Sequence, residues 1–109
     1  MKTTFAVSHV ANNPEFEEHF QERVARLQKY VKRFRDELVY LHGTLDKNPH
    51  KEEFYASLSL YLPSGTLHCR ERGENFVSAL NAAFLDLARQ IEKHKDKLIS
   101  EKRRRVRQA

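Results

Sequence analysis

Basic side chains recur at helical spacing in two separate segments of this 109-residue chain. The first segment carries three arginines and one tyrosine at intervals of three, four and three residues, with Lys29 beside them: Arg23, Arg26, Tyr30 and Arg33. The second segment carries Arg89, Lys93 and Lys97 at four-residue intervals, with His94 and Lys95 as neighbours. Guanidinium and ammonium groups on rigid helices suit phosphate contacts, which displace counterions and fix orientation without reading bases. The two stripes predict one nucleic-acid-binding surface, and the alternative is an ordinary solvated helix face.

The positive charge of the chain is concentrated at its C-terminal end. From residue 89 onward there are nine Lys or Arg and three acidic residues, whereas residues 1–88 hold 11 basic and 12 acidic groups. A near-neutral body with one cationic end favours a polyanionic partner, with nucleic acid as the first candidate. The arginine-rich segment from Lys102 to Arg107 would bind any nucleic acid or acidic protein, and it either extends the last helix or is disordered.

The elements that must position these side chains follow from the apolar pattern. Alternating residues predict four strands, at 3–8, 38–45, 54–62 and 66–71. Apolar residues at three- and four-residue intervals predict two helices, one from Pro14 to about Phe34 and one that opens after Asn75. The order β-α-β-β-β-α predicts an α+β fold, a two-layer sandwich with both helices on one face of a mixed four-stranded sheet. A crossover between parallel strands should be right-handed.

No arrangement of residues in the sequence predicts catalysis, a cofactor or a metal site. The six histidines lack the spacing of metal ligands, and the three glycines form no phosphate-binding loop. His68 and Cys69 are neighbours on a strand and point to opposite faces, so Cys69 is predicted to be a small core residue. The outer face of the sheet, with Tyr55, Tyr61 and Arg70, is either a base-stacking surface or an ordinary polar face.

Composition predicts a single soluble unit. The chain has one cysteine, so an intramolecular disulfide is impossible, which fits a reducing cytoplasm. The N-terminal residues lack the apolar run of a signal peptide, and no apolar stretch approaches the length of a membrane span. We therefore expect a cytoplasmic, monomeric protein with no membrane partner.

The segment Leu87–Leu98 closely resembles the last helix of the bacterial ribosome hibernation-promoting factors and ribosome-associated inhibitors, a family also labelled sigma-54 modulation protein. The resemblance continues through Glu71–Leu80 and through Val24–Tyr30, and it covers roughly the first 98 residues. It implies a ribosome-binding domain at 1–98, a basic tail at 99–109 and a shape related to double-stranded RNA-binding domains. The family's basic helix positions correspond here to Arg26, Lys29, Arg33, Arg89, Lys93, Lys95 and Lys97.

The resemblance implies a protein that is not an enzyme and that binds the small ribosomal subunit and its ribosomal RNA. Such proteins occupy the channel for mRNA and tRNA and silence idle ribosomes in stationary phase or stress. Short members either promote ribosome dimers with a partner factor or hold single ribosomes inactive. We expect a short member here, although its arginine-rich extension matches neither type. Two other functions stay open, a general double-stranded RNA-binding module and a transcription regulator that binds an acidic protein surface.

Overall fold

A computed structural model describes the backbone of residues 1–108 and the side chains of residues 1–95. The strands are β1 (Lys2–Ser8), β2 (Tyr40–Lys47), β3 (Phe54–Leu62) and β4 (Gly65–Gly73). The helices are α1 (Pro14–Leu27) and α2 (Phe76–Gln108), and two short 3-10 turns, Gln28–Tyr30 and Asp36–Leu38, connect α1 to β2. The predicted order β-α-β-β-β-α is confirmed. α2 runs through residue 98, so the fold has no element boundary at that residue. The division into a domain at 1–98 and a tail at 99–109 stays a prediction.

The four strands form one mixed sheet in the order β1-β2-β3-β4. β1 pairs parallel with β2, with Lys2 opposite Tyr40 and Ser8 opposite Asp46, and the remaining pairs are antiparallel. Alternate residues of β2 and β3 are buried, among them Leu41, Leu45, Leu58 and Leu60. All of these side chains lie on one face, where both helices pack, so the predicted two-layer sandwich is confirmed. The handedness of the β1-α1-β2 crossover stays a prediction.

The first helix begins as predicted but ends earlier. The Asn13 side chain accepts a hydrogen bond of 3.0 Å from the Glu15 N–H, and Pro14 occupies the first turn. The predicted end near Phe34 is wrong, because α1 ends at Leu27 and tightens into the 3-10 turn at Gln28–Tyr30.

The early end of α1 follows from the parallel pairing of β1 and β2. Fourteen helical residues span about 21 Å, close to the roughly 23 Å of the seven-residue strand β1. The chain must then turn to enter β2 beside Lys2, and residues 31–34 form that turn. Arg33 is therefore not on the helix. Val31 is buried all the same, which explains why the apolar pattern continued past the helix end.

The bounds of three of the four strands differ from the prediction. β1 begins one residue earlier than predicted, at Lys2, and β2 ends two residues later, at Lys47. β2 begins two residues later than predicted, because Leu38 lies in the second 3-10 turn and is 52% exposed. β4 extends beyond its predicted ends to Gly65 and Gly73. β3 has the predicted bounds.

Phe20 of α1 lies at the centre of the core and is fully buried. Its ring stacks on Phe5 of β1, with centroids 4.6 Å apart, and lies 5.6 Å from the Phe84 ring of α2. The ring rests directly over Gly43 of β2, where a Cβ atom would stand 2.6 Å from Phe20 Cε2 and 3.2 Å from Leu58 Cδ2. Gly43 thus allows the close approach of α1 to the sheet.

We expect Gly43→Ala to lower the free energy of unfolding by about 1–3 kcal/mol, because the buried Phe20 ring has no room to move away. Urea denaturation measures this change. Ser57→Thr is the matched control, because it adds one methyl group to the outer face of the neighbouring strand, and it should change stability by less than about 0.5 kcal/mol. Equal stabilities of Gly43→Ala and the parent protein would contradict the close packing of Phe20 on β2.

Candidate nucleic-acid interface

A groove runs between the end of α1 and the outward side of α2. Its floor is apolar and is formed by Tyr30, Leu85 and Ala88. Leu85 is 56% exposed, and Tyr30 and Ala88 are half-buried. We call this feature, floor and rim together, the interhelical groove. It consists of two adjoining cavities of about 180 and 340 Å³ that share the three floor residues.

Basic side chains from both helical segments form the rim of the interhelical groove. Arg23, Arg26 and Lys29 line it from the α1 side, and Arg89 and Lys93 line it from α2. The structure therefore brings together five of the nine side chains predicted to bind nucleic acid. They lie on two sides of one concave surface, an arrangement that suits phosphate contacts with a polyanion.

Lys95 lies beside the groove, close to Tyr30. Its Nζ is 5.9 Å from the centroid of the Tyr30 ring, and Lys29 Nζ is 5.8 Å from the same centroid. Both distances are within the range of a cation–π attraction, which draws the two lysines toward the ring. Lys95 also contacts Glu92 at 3.6 Å, and Glu92 is the acidic side chain that lines the groove. Because Glu92 is one acidic side chain against five basic ones around the groove, the rim remains positively charged.

Two predicted site residues lie elsewhere, and the side chain of a third, Lys97, lies outside the described residues. His94 faces the β3–β4 hairpin, where its Nε2 is 2.7 Å from the Ser64 hydroxyl, so its role there is to attach α2 to the sheet. Arg33 lies in the turn after α1, with its guanidinium 6.0 Å from the centroid of the Phe34 ring, and it does not line the groove.

Contacts across the helix pair fix the width of the groove. His19 Nε2 on α1 is 2.9 Å from Asn81 Oδ1 on α2, and this hydrogen bond is partly buried. The rings of Phe16 and Phe76 meet edge to face at 4.7 Å nearby. On its other side, α2 is attached to β4 by a 2.8 Å hydrogen bond from Gln90 Nε2 to the carbonyl of His68. These contacts hold the two basic stripes at a constant separation.

Tyr30 was predicted to lie on the first stripe, but the sequence did not indicate that Leu85 and Ala88 complete the floor of the groove. Leu85 lies next to the core residue Phe84 but off the apolar stripe of α2, and it is exposed on the same side as Arg89. The signal was a leucine that lies off the apolar stripe, and single apolar residues are common on surfaces. Only the position of Tyr30, set by the turn after α1, gives Leu85 its significance.

The outer face of the sheet is polar and internally hydrogen-bonded. The Thr4 hydroxyl is 2.6 Å from both the Tyr40 hydroxyl and His42 Nδ1. The Arg70 guanidinium lies over the Tyr55 ring at 4.8 Å. These groups already have partners within the sheet, which agrees with the interpretation as an ordinary polar face.

The sequence matches the family model for sigma 54 modulation protein / S30EA ribosomal protein over residues 4–99. The chain belongs to this family. It is 32% identical over 91 residues to the ribosome hibernation promoting factors of Escherichia coli K12 and Shigella flexneri, covering 80% of this chain and 90% of each relative. The predicted family is therefore confirmed. Its members are ribosome-associated factors rather than enzymes, which supports a ribosome-associated, non-enzymatic role for this chain.

Solved structures share the fold. A ribosomal subunit interface protein from Coxiella burnetii superposes with a TM-score of 0.72 at 14% identity, covering 88% of this chain and 99% of that chain. The N-terminal domain of Thermus thermophilus Protein Y gives a TM-score of 0.71 at 17% identity, covering 86% and 99%. At these identities the likeness establishes the α+β architecture alone. None of the helices that the structure describes combines the length and apolar composition of a membrane span.

Cys69 has the environment of a structural thiol. It lies on the buried face of β4, as predicted, and its Sγ donates a hydrogen bond of 3.2 Å to the Ala83 carbonyl of α2. Burial, with a smaller contribution from the negative charge of Asp86, raises the pKa of the Cys69 thiol to about 12. Among residues 1–95, no three His, Cys, Asp or Glu side chains come together as a metal site.

We expect native Cys69 to react with iodoacetamide at least about 100-fold more slowly than in the urea-unfolded protein at pH 9, because burial suppresses the thiolate. The raised pKa also predicts that stability falls as the pH rises from about 9 toward 12, since unfolding then releases the thiol proton. Mass spectrometry measures the alkylation, with N-acetylcysteine as the control for the effect of urea. Native and unfolded rates within about tenfold of each other would contradict the buried position.

Proposed function

We propose that this protein is a cytoplasmic translation inhibitor that binds the small ribosomal subunit through phosphates of its ribosomal RNA. In this function the protein occupies the channel for mRNA and tRNA and keeps ribosomes inactive in stationary phase or stress. The supporting observation is the interhelical groove, because five basic side chains from α1, the 3-10 turn that follows it and α2 line one concave surface in a member of a ribosome-associated family. The name of the 32% identical relatives, ribosome hibernation promoting factor, agrees with this proposal.

The mechanism is electrostatic binding followed by steric exclusion. The rim residues Arg23, Arg26, Lys29, Arg89 and Lys93 bind phosphates and release the counterions condensed on the RNA. The sandwich behind them is held together by the packing of Phe20 and by the His19–Asn81 hydrogen bond, so it occupies its volume as a rigid body. No chemical step is required, because a bound body in the channel excludes other ligands.

The proposal extends to further RNA-binding residues and to the state of the bound ribosomes. The residues proposed to bind ribosomal RNA include Lys95, which lies at the groove beside Tyr30, as well as Arg33 and Lys97. The bound ribosomes either remain single or associate into dimers with a partner factor, and the protein itself acts as a monomer. A general double-stranded RNA-binding module and a protein-binding transcription regulator are the alternatives that the experiment below must separate.

We expect the triple variant Arg26→Glu/Arg89→Glu/Lys93→Glu to lose ribosome affinity by about 100-fold or more, because three phosphate contacts become repulsive. Co-sedimentation with purified ribosomes in a sucrose gradient measures binding, with mRNA and initiator tRNA as competitors. The parent protein should migrate with the small subunit and be displaced by the competitors. A shift to dimeric particles when a partner factor is added identifies the dimer-promoting type.

The control variant Lys2→Glu/Lys51→Glu/Arg70→Glu has the same net charge but changes exposed residues outside the groove, and it should bind like the parent protein. Undiminished binding of the groove variant would refute the proposal. Equal affinity of the parent for free duplex RNA and for ribosomes would favour the general RNA-binding alternative. Binding to an acidic protein without RNA, and none to ribosomes, would favour the regulator.

A further inference from the structure

We propose that the apolar floor of the interhelical groove binds one unpaired base of the RNA while the basic rim binds the phosphates on either side of that nucleotide. This inference rests on the proposed function for the identity of the polyanion. It adds a distinct recognition element, because a site that only contacts phosphates would favour any RNA duplex. The protein would then select RNA that presents a base outside a helix, as at a bulge or a junction.

The apolar character of the floor is the first argument. Leu85 is 56% exposed within a set of charged neighbours, and it forms a concave surface with Ala88 and Tyr30. Phosphates bind to charge and hydrogen-bond donors and do not require an apolar floor between them. A ligand that removes Leu85 from water must itself present a flat or apolar group, and a nucleotide base has such a face.

The placement of the charges is the second argument. Arg23, Arg26 and Lys29 lie on one side of the floor, and Arg89 and Lys93 lie on the other. Each nucleotide in a chain has a phosphate on both its 5′ and its 3′ side, so a base on the floor directs its flanking phosphates toward the two rims. An acidic peptide has no such fixed alternation of a flat group between two anions, and the groove geometry therefore favours RNA over a protein ligand.

The environment of Tyr30 is the third argument. Its ring borders both cavities, and the ammonium groups of Lys29 and Lys95 lie 5.8 and 5.9 Å from its centroid. These contacts keep the ring at the edge of the groove and keep two cations next to the position of the base. A base against the ring would gain stacking or edge contacts, and its phosphates would find the lysines within reach.

The test compares three RNA hairpins with the same stem and loop that differ only at one bulge position. One is fully paired, one has a single bulged adenine, and one has an abasic nucleotide at the bulge. We expect the parent protein to bind the bulged-adenine hairpin at least about fivefold more tightly than the abasic hairpin, as measured by fluorescence anisotropy. With 2-aminopurine in place of the bulged adenine, binding should change its fluorescence, because the base moves into the groove.

Leu85→Ala should reduce the preference for the bulged base over the abasic bulge by about threefold or more, so that it weakens binding of the bulged hairpin more than binding of the paired hairpin. Leu38→Ala is the matched control, since Leu38 is 52% exposed but lies outside the groove, and it should change neither value. Equal affinity for the bulged and abasic hairpins would overturn the inference. Poly-glutamate serves as a second competitor. If it displaces the bulged hairpin as effectively as RNA of equal charge, the inference is also overturned, because the groove would then be a general anion site.

The two proposals fail in different ways. If the parent protein co-sediments with ribosomes and the charge-reversed triple variant does not, but the hairpins show no preference for the base, only the base-binding inference is wrong. If the hairpins show the preference and the parent protein does not bind ribosomes, the inference holds for RNA and the proposed function is wrong. Circular dichroism of Leu85→Ala should match that of the parent protein, because an exposed side chain is shortened.

Discussion

The parallel pairing of β1 with β2 is the constraint on which the rest of the molecule depends. Two parallel neighbours need a crossover, so the chain must cross the sheet as α1 and return to begin β2 beside the start of β1. This return limits α1 to the length of the strand and forces the turn that contains Val31 and Phe34. The 3-10 turn Gln28–Tyr30, which lies between α1 and that turn, places Tyr30 beside Leu85 and Ala88 of α2, and the interhelical groove lies there.

Close packing then converts this topology into a fixed separation of charges. Gly43 lets Phe20 approach the sheet, and the Phe20 ring contacts both β1 and α2. This packing sets the distance of α1 from the sheet and its position relative to α2. The His19–Asn81 hydrogen bond fixes the spacing between the helices at the surface. Basic side chains from the α1 side and from α2 therefore line two sides of the same concave site. The repulsion between these charges is offset by packing elsewhere in the molecule.

The sequence was sufficient for the architecture and for most of the charged surface. The alternation in β3 and the Asn13–Pro14 helix start are local signals, and each appears in the structure where it was predicted. The end of α1 could not be predicted locally, because residues 28–34 keep an apolar period of three or four whether they form a helix or a turn. Arg33 was placed on the helix for this reason. The orientation of His94 also depends on the hairpin turn at Ser64, 30 residues away in the sequence.

The two faces of the molecule have different capacities for binding. On the outer face of the sheet, the Thr4 hydroxyl is hydrogen-bonded to both Tyr40 and His42, and Arg70 covers Tyr55, so a ligand would have to replace contacts that already exist. On the helical face, Leu85 remains in water between rims of cations. A ligand there gains both apolar burial and phosphate contacts and breaks few existing interactions. The proposed mechanism of steric exclusion needs only one binding face, and this asymmetry favours the groove as that face.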